Sequence, residues 1–329
     1  MARVLDRHVD ADLRTTRAAW AGALCRRFLG RLVLLVGVLA VVFAAVDLLP
    51  GSAAKGALGA NATAEAIDAK NAELGLDQAW PVRFVRWIGG LLTGDLGTTV
   101  RGQRVGDLVS AALPETMIVV GVALLITVPC SIAVGMWWAT RAMPRSRRLV
   151  DAVTTVSIAV PEFVIATVLI VVFALLLDAL PAVTIVAADG TLGSPDMRIL
   201  PIVALAIPQI GWNSRVVHAA VSDHLRDPHV TQALLDGVSH VRVTVRHVLP
   251  VALPTIAAAA ATSTGMLVGG AVVVETVFNH PGIGSLLSSA VTAKDSVTTT
   301  AIVALVGILI AVVLTASDAV RVAITGRVS

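Results

Sequence analysis

Residues 226–254, RDPHVTQALLDGVSHVRVTVRHVLPVALP, form a polar and basic interlude between two apolar runs long enough to cross a membrane. Asp227 can cap a first short helix, Pro228 suits its opening position, and Gly237 is free to take the left-handed conformation that ends it. Within 228–236, Val230, Ala233 and Leu234 fall at i, i+3 and i+4 and share one face, leaving His229, Gln232 and Asp236 toward water. Ser239 can cap a second helix, which places Arg242 above Arg246 and runs through Pro250 into the next apolar run. Two such short helices are too small to bury an apolar face between them. The expectation is that a partner covers Val230, Ala233 and Leu234. On these residues alone the segment reads equally well as a charged loop between membrane helices.

Composition narrows the choice. The 329 residues are 56% hydrophobic and 14% charged, against roughly 25% charged in soluble domains, and the mean hydropathy is +0.86. This is the composition of an all-α, polytopic membrane protein. A formal charge of +3 does not argue for nucleic acid, because the basic residues are scattered in short inter-span segments, where they orient membrane helices. Cys25 and Cys130 would lie at different levels of a spanning protein and lack metal-ligand spacing, so neither a disulfide nor a metal site is expected.

Residues 1–27 are polar and arginine-rich, and the apolar stretch 28–49 exceeds the roughly 7–15 residues of a signal-peptide core. It reads as an uncleaved first span. Five further runs follow at about 116–140, 152–177 (interrupted by Glu162), 199–222, 248–274 and 296–317, each near or above the roughly 20 residues needed to cross hydrocarbon. Six spans are therefore expected, with 113–325 forming the main transmembrane domain. Arg141, Arg145, Arg147 and Arg148 lie between spans two and three, and Arg226, Arg242 and Arg246 between four and five, whereas 178–197 and 275–295 hold one Lys and no Arg. Both termini and the opening stretch are therefore expected in the cytoplasm. The extracytoplasmic segment 50–112 carries structure of its own. Thr63 can cap a helix that Gly75 ends, and Pro81 opens another with Val82, Val85, Ile88 and Leu92 on one stripe beside Trp87. That stripe suits either the bilayer interface or a soluble partner outside.

With Gly237 followed thirteen positions later by Pro250, the opening segment resembles the cytoplasmic "EAA" loop of ABC-importer permeases, the coupling helix that inserts into a groove on the ATPase. Ala233, Gly237 and the RHVLP run 246–250 fit; Thr231 and Gln232 stand where that loop has Glu-Ala. Leu48-Leu-Pro-Gly51, Leu74-Gly-Leu-Asp77, Arg86-Trp-Ile-Gly-Gly-Leu-Leu-Thr-Gly-Asp-Leu-Gly97, Leu113-Pro-Glu-Thr116, Pro161-Glu-Phe163 and Val274-Glu-Thr-Val-Phe-Asn-His-Pro-Gly-Ile-Gly284 extend the likeness along nearly the whole chain. Together they resemble the first of the two permease subunits of dipeptide and oligopeptide ABC importers. The resemblance implies a type I importer subunit in the cytoplasmic membrane. It would pair with a homologous second permease, couple to two ATPase subunits that bind the ATP and magnesium, and receive substrate from an extracytoplasmic binding protein. Peptides are the implied substrate; glutathione, nickel chelates and some sugars use sister systems. Val230, Ala233, Leu234, Asp236, Gly237, Val238, Arg242 and Pro250 would make the coupling segment. Glu275, Phe278, Pro281, Gly282 and Gly284 would form a turn at the outer mouth of the path.

The chain holds no P-loop, and its only lysines, Lys55, Lys70 and Lys294, fall on the expected outer side. It also lacks the metalloprotease and serine-hydrolase motifs, so no catalysis and no cofactor are expected in this chain. An ion-coupled secondary transporter would call for buried charge relays and repeated spans, and neither is found. Intramembrane polar residues are the natural candidates for a substrate path. Glu162, in mid-span beside Pro161, leads, followed by Gln209, Asn213 and Arg215, although pairing of Glu162 with a second permease, or hydrogen bonds between helices for Gln209 and Asn213, would account for them equally. Asp47, Glu275 and Asp318 lie near span ends, where solvent is expected to reach them, and His218, His224, His240 and His247 are expected at the surface.

Overall fold

A computed structural model describes residues 2–49, 52–59, 61–140, 144–185 and 193–325; Pro50, Gly51 and Arg141, named above, lie outside them. The described residues are helical apart from connections and one isolated bridge, Thr98 to Arg104. In chain order the helices are α1 (Ala2–Asp47), α2 (Ala53–Leu58), α3 (Ala64–Glu73), α4 (Trp80–Leu92), α5 (Val105–Thr140), α6 (Pro144–Ala159), α7 (Glu162–Leu169), α8 (Ile199–His224), α9 (Pro228–Leu235), α10 (His240–Val243), α11 (Leu249–Val277), α12 (Ile283–Thr292) and α13 (Ser296–Thr325). Wider π turns extend α7 over Ile170–Leu176 and join α10 to α11 over Thr244–Val248. Helices satisfy their own backbone groups, as a lipid environment demands.

Four stretches are long and apolar enough to cross a membrane: Gly22–Asp47, Val105–Thr140, His240–Val277 and Ser296–Ala316. The third apolar run, expected over 152–177 with an interruption at Glu162, is a bent pair of helices. The chain breaks at Val160–Pro161, and the flanking helices Arg145–Ala159 and Glu162–Leu176 meet at 103°. Pro161 supplies no backbone N–H and disfavours helical geometry at Val160, which favours a break here, although α5, α8 and α11 run on through interior prolines. Glu162 therefore opens α7, where its charge suits a helix N-terminus, and is not in the middle of a continuous span.

α8 packs against α5, α6, α7 and α11. Its 26 residues extend about 39 Å. Leu200, Leu205 and Ala206 of α8 join Val119 and Val120 of α5, Ala166 of α7 and Leu267 and Val268 of α11 in one buried cluster. A second cluster gathers Leu39 and Phe43 of α1, Phe84 and Trp87 of α4, Val105 and Val109 of α5, and Ala301 and Ile302 of α13. Here the helices α3 and α4 between α1 and α5 begin and end where they were read. The Thr63 hydroxyl accepts from Ala66 N–H at 3.3 Å to cap α3, Gly75 follows its end at φ +64°, and proline sits in the first turn of α4. Arg83 of α4 is buried and paired with Asp47, while the opposite stripe, Val82, Val85 and Leu92, is exposed. A third cluster forms at the other end of the bundle, where α9 and α10 fold onto α8 and α11.

The α5–α8 contact depends on Gly135. A Cβ there would lie 2.6 Å from Val217 Cβ and 2.8 Å from the Ser214 carbonyl oxygen, too close for either helix to yield at small cost. Gly135→Val is expected to destabilise the chain by roughly 1–3 kcal/mol through overpacking, seen as a lower thermal unfolding midpoint in detergent. Gly121→Val on the same helix, with nothing within 4 Å, should leave the midpoint unchanged. Equal midpoints for the two would refute this account of the packing.

Candidate functional site

The loop between α8 and α11 closes as a compact unit. Asp227 precedes α9 in extended geometry, and its side chain meets His224 Nδ1 at 3.1 Å instead of capping the helix. Ser239 precedes α10, likewise without a side-chain cap. At the far end of α9, Gly237 N–H donates to Leu234 O and Val238 N–H to Ala233 O, both at 3.1 Å. Gly237 stands at φ +83°. This paired closure with a left-handed residue is the Schellman arrangement, and it explains the glycine.

The expectation that a partner buries Val230, Ala233 and Leu234 is corrected. Val230 is fully buried among Val217, Val221, Val243, Val248, Ala252 and Ile256, and Ala233, Leu234 and Val238 pack against the same group. The ends of α8 and α11 supply the apolar cover that the two short helices lack. What remains outward is a different set: Leu235 is 77% and Val241 74% exposed, flanked by exposed Asp236, Arg242, Arg246 and Pro250. Asp236 accepts from Gln232 Nε2 at 3.0 Å.

The candidate path residues do not converge on one point. Asn213 Nδ2 donates to Ser263 Oγ at 2.6 Å and to Gln209 O at 2.8 Å, tying α8 to α11. Gln209 is buried, and its Oε1 has no partner. Glu162 is half-buried and lies over α11, its Oε1 3.5 Å from the place a Cβ on Gly270 would occupy. Arg215 turns to α6, bonding Asp151 Oδ1 at 2.6 Å and Thr154 Oγ1 at 3.1 Å.

At the opposite end, solvent does not reach Glu275, contrary to the expectation from its place near the end of a span. It is fully buried, and its carboxylate accepts from Thr116 Oγ1 and from Gly284 N–H, each at 2.6 Å. Thr116 Oγ1 in turn accepts from Ile283 N–H at 2.8 Å. The start of α12 is thus fastened to α5 and α11 through one carboxylate. Gly284 is required by space, since a Cβ would fall 2.3 Å from Val272 Cα. Gly282 presses on Glu275 in the same way, Pro281 sits between His280 and Gly282 in the turn, and Phe278 is buried with its carbonyl accepting from Thr184 N–H at 2.8 Å.

Several partners in this knot were not singled out from the sequence. Arg198 grips Glu115 at 2.8 and 2.9 Å, and the buried His280 bridges Thr184 Oγ1 at 3.2 Å and Glu115 at 3.5 Å. The second contact is not aligned as a hydrogen bond. Burial holds the His280 imidazole below its ordinary range, outweighing the pull of Glu115, with Arg198 acting in the same direction as burial. Asp295, which accepts from Thr298 N–H and Val100 N–H at 3.0 Å, could have been found by its position just ahead of α13. His218 was expected at the surface but stacks on Trp138 at 4.1 Å.

Residues 131–329 match the family described as binding-protein-dependent transport system inner membrane component, and 22–104 match the N-terminal unit of the same transport components. A putative peptide transport system permease of Brucella abortus is 30% identical, covering 80% of this chain and 84% of the relative. A probable peptide ABC transporter permease of Sinorhizobium fredii is 30% identical over 81% and 87%. A glutathione transport system permease of Salmonella paratyphi A is 31% identical over 82% and 86%. Among solved structures, the inward-facing MetNI methionine ABC transporter shares the fold at TM-score 0.53 and 18% identity, with 66% of this chain and 96% of that one covered. This multi-pass membrane protein therefore belongs to the family of binding-protein-dependent transport system inner membrane components.

Proposed function

We propose that this chain is the permease subunit of an ATP-driven importer that carries peptides across the cytoplasmic membrane, without catalysis of its own. The observation that carries this reading is the loop 226–250. One face is buried on the chain's own helices, and the other leaves Leu235 and Val241 exposed. In the family's setting that partner is an ATPase subunit, with two ATPases binding the ATP and magnesium. A homologous second permease completes the path, and an extracytoplasmic binding protein delivers the substrate. Peptides are favoured by the relatives from Brucella and Sinorhizobium, and the Salmonella relative makes glutathione the nearest alternative.

The proposed architecture has six spans: α1, α5, the bent pair α6–α7, α8, α11 and α13, with α12 as a short helix at the outer mouth. Residues 50–112 face outward, and both termini and the loops at 141–148 and 226–250 face the cytoplasm, by the distribution of arginines. Closure of the ATPases would push on Leu235 and Val241 and swing α8 and α11 together between inward-open and outward-open states.

Three results are expected. In a background lacking Cys25 and Cys130, Lys70→Cys should be labelled from outside intact cells and Arg147→Cys only after permeabilisation; the reverse pattern defeats the orientation. Leu235→Glu and Val241→Glu should lower ligand-stimulated ATP hydrolysis of the reconstituted complex by at least tenfold with the permease still inserted, and full hydrolysis in both would remove the coupling role. Glu162→Ala should change peptide uptake severalfold while the subunits still co-purify. Unaltered uptake would leave Glu162 with a role in packing only.

A further inference from the structure

The end of the bundle that carries the basic loops also holds a cavity that none of the candidate path residues Glu162, Gln209 and Asn213 lines. It measures about 350 Å3 and lies between the last turn of α5 (Trp138, Ala139), the first turn of α6 (Arg147) and the end of α8 with the residues after it (His218, Ser222, Arg226). That volume is within the about 300–1,000 Å3 range of small-ligand sites. Its lining contains cations and donors and no carboxylate.

The guanidinium groups of Arg147 and Arg226 make no hydrogen bond or ion pair with a described residue, and the backbone N–H of Arg226 donates to Asp223 O. Neighbouring carboxylates are engaged elsewhere: Asp151 holds Arg215 at 2.6 Å, and Asp227 meets His224 at 3.1 Å. Asp223 lines a separate cavity beside Trp212. His218 Nδ1 is buried without a partner, and Ser222 adds a hydroxyl. The wall is held in place, because Trp138 stacks on the His218 ring and also meets the Arg215 guanidinium, 5.9 Å from its centroid. Two unpaired guanidiniums facing one rigid cavity form an anion site, and guanidinium geometry favours phosphate.

The surroundings indicate what carries the anion. α6, which begins at the same cavity, leaves Leu149, Val153, Val156 and Ile158 exposed, and Trp137, next in sequence to the cavity residue Trp138, is exposed as well. An indole and a row of aliphatic side chains next to a basic pocket suit an acyl-chain anchor at the level of the headgroups. We propose that the cavity binds the phosphate of an anionic phospholipid, with its chains along α6. Arg226 is also the first residue of the 226–254 segment, so a bound lipid would link α6 to the base of that loop.

Native mass spectrometry of the purified complex, titrated with phosphatidylglycerol and with phosphatidylcholine of the same acyl chains, tests this without any measurement of transport. At least tenfold preference for phosphatidylglycerol is expected, and Arg147→Gln/Arg226→Gln should abolish it. Arg145→Gln/Arg246→Gln removes the same charge outside the cavity and should preserve it. Ser222→Glu, which adds a carboxylate to the lining while keeping both arginines, should also displace the lipid. The proposal fails if the two lipids bind alike, if the control pair loses the preference equally, or if Ser222→Glu retains it. It fails as a lipid site if inorganic phosphate competes fully at equal concentration, which would mark a free-anion site.

Discussion

Sealed from solvent, the Glu275 carboxylate is held by the Thr116 hydroxyl and the Gly284 N–H at 2.6 Å each, at the positive end of α12. Removing such a group from water costs several kcal/mol unless its oxygens are matched. Hydrogen bonds to a charged group return about 1.5–3 kcal/mol apiece, and a helix N-terminus adds up to about 2 kcal/mol when partly buried. The balance closes only if all partners are present together. Loss of the Thr116 hydroxyl would also strand the Ile283 N–H that donates to it. One residue thus makes the positions of α5, α11 and α12 mutually dependent, and Gly282 and Gly284 are small because the backbone must come within reach of that carboxylate.

The same rule sorts the other polar groups of the bundle. Asn213 with Ser263, Arg215 with Asp151, Arg31 with Asp318 and Glu115 with Arg198 are each satisfied by a group on another helix or at its entry. These pairs hold helices in register. Glu162 is half-buried with no ion pair or hydrogen bond among the described residues, and the Gln209 oxygen is buried without one. In a low-dielectric setting an unmatched polar group needs either water or a partner from outside the chain. The proposed path therefore rests on the polar groups that the fold leaves unmatched, and Asn213 is better understood as a fastening between α8 and α11.

Much of this was legible in the sequence because local rules set it. Thr63, Gly75 and Pro81 mark helix ends in the segment between α1 and α5, and Gly237 marks the Schellman turn, through backbone preferences that act within a few residues. Glu162 was visible as an interruption of the third apolar run, but the helix break at Pro161 and its 103° angle were not, since a proline can also sit inside a helix and does not show where the chain goes next. Burial was misread wherever it depended on distant residues. Glu275 looked solvated because it lies near a span end, yet its partners come from residues 116 and 284. Val230 looked as if it awaited a second protein, yet Val217, Val243 and Ala252 cover it. Periodicity identifies an apolar face without saying which surface meets it.

That misreading changes the mechanics of the proposed coupling loop. Had Val230, Ala233 and Leu234 been the docking face, the loop would be loose until its partner arrived, and part of the docking energy would be spent on ordering it. With that face already packed on α8 and α11, the loop is part of the bundle before any contact is made. Leu235 and Val241 then provide the outer surface, and full burial of such side chains contributes about 1.5–3 kcal/mol each. A push on them passes through Val230 and Val243 to Val217 and Val221, and Val217 is the residue that abuts Gly135 of α5. Because close-packed contacts resist compression, displacement at the proposed coupling loop would carry α8 and α11 as a rigid unit, with α5 drawn along through the Val217–Gly135 contact, a rigid-body motion of the kind alternating access uses.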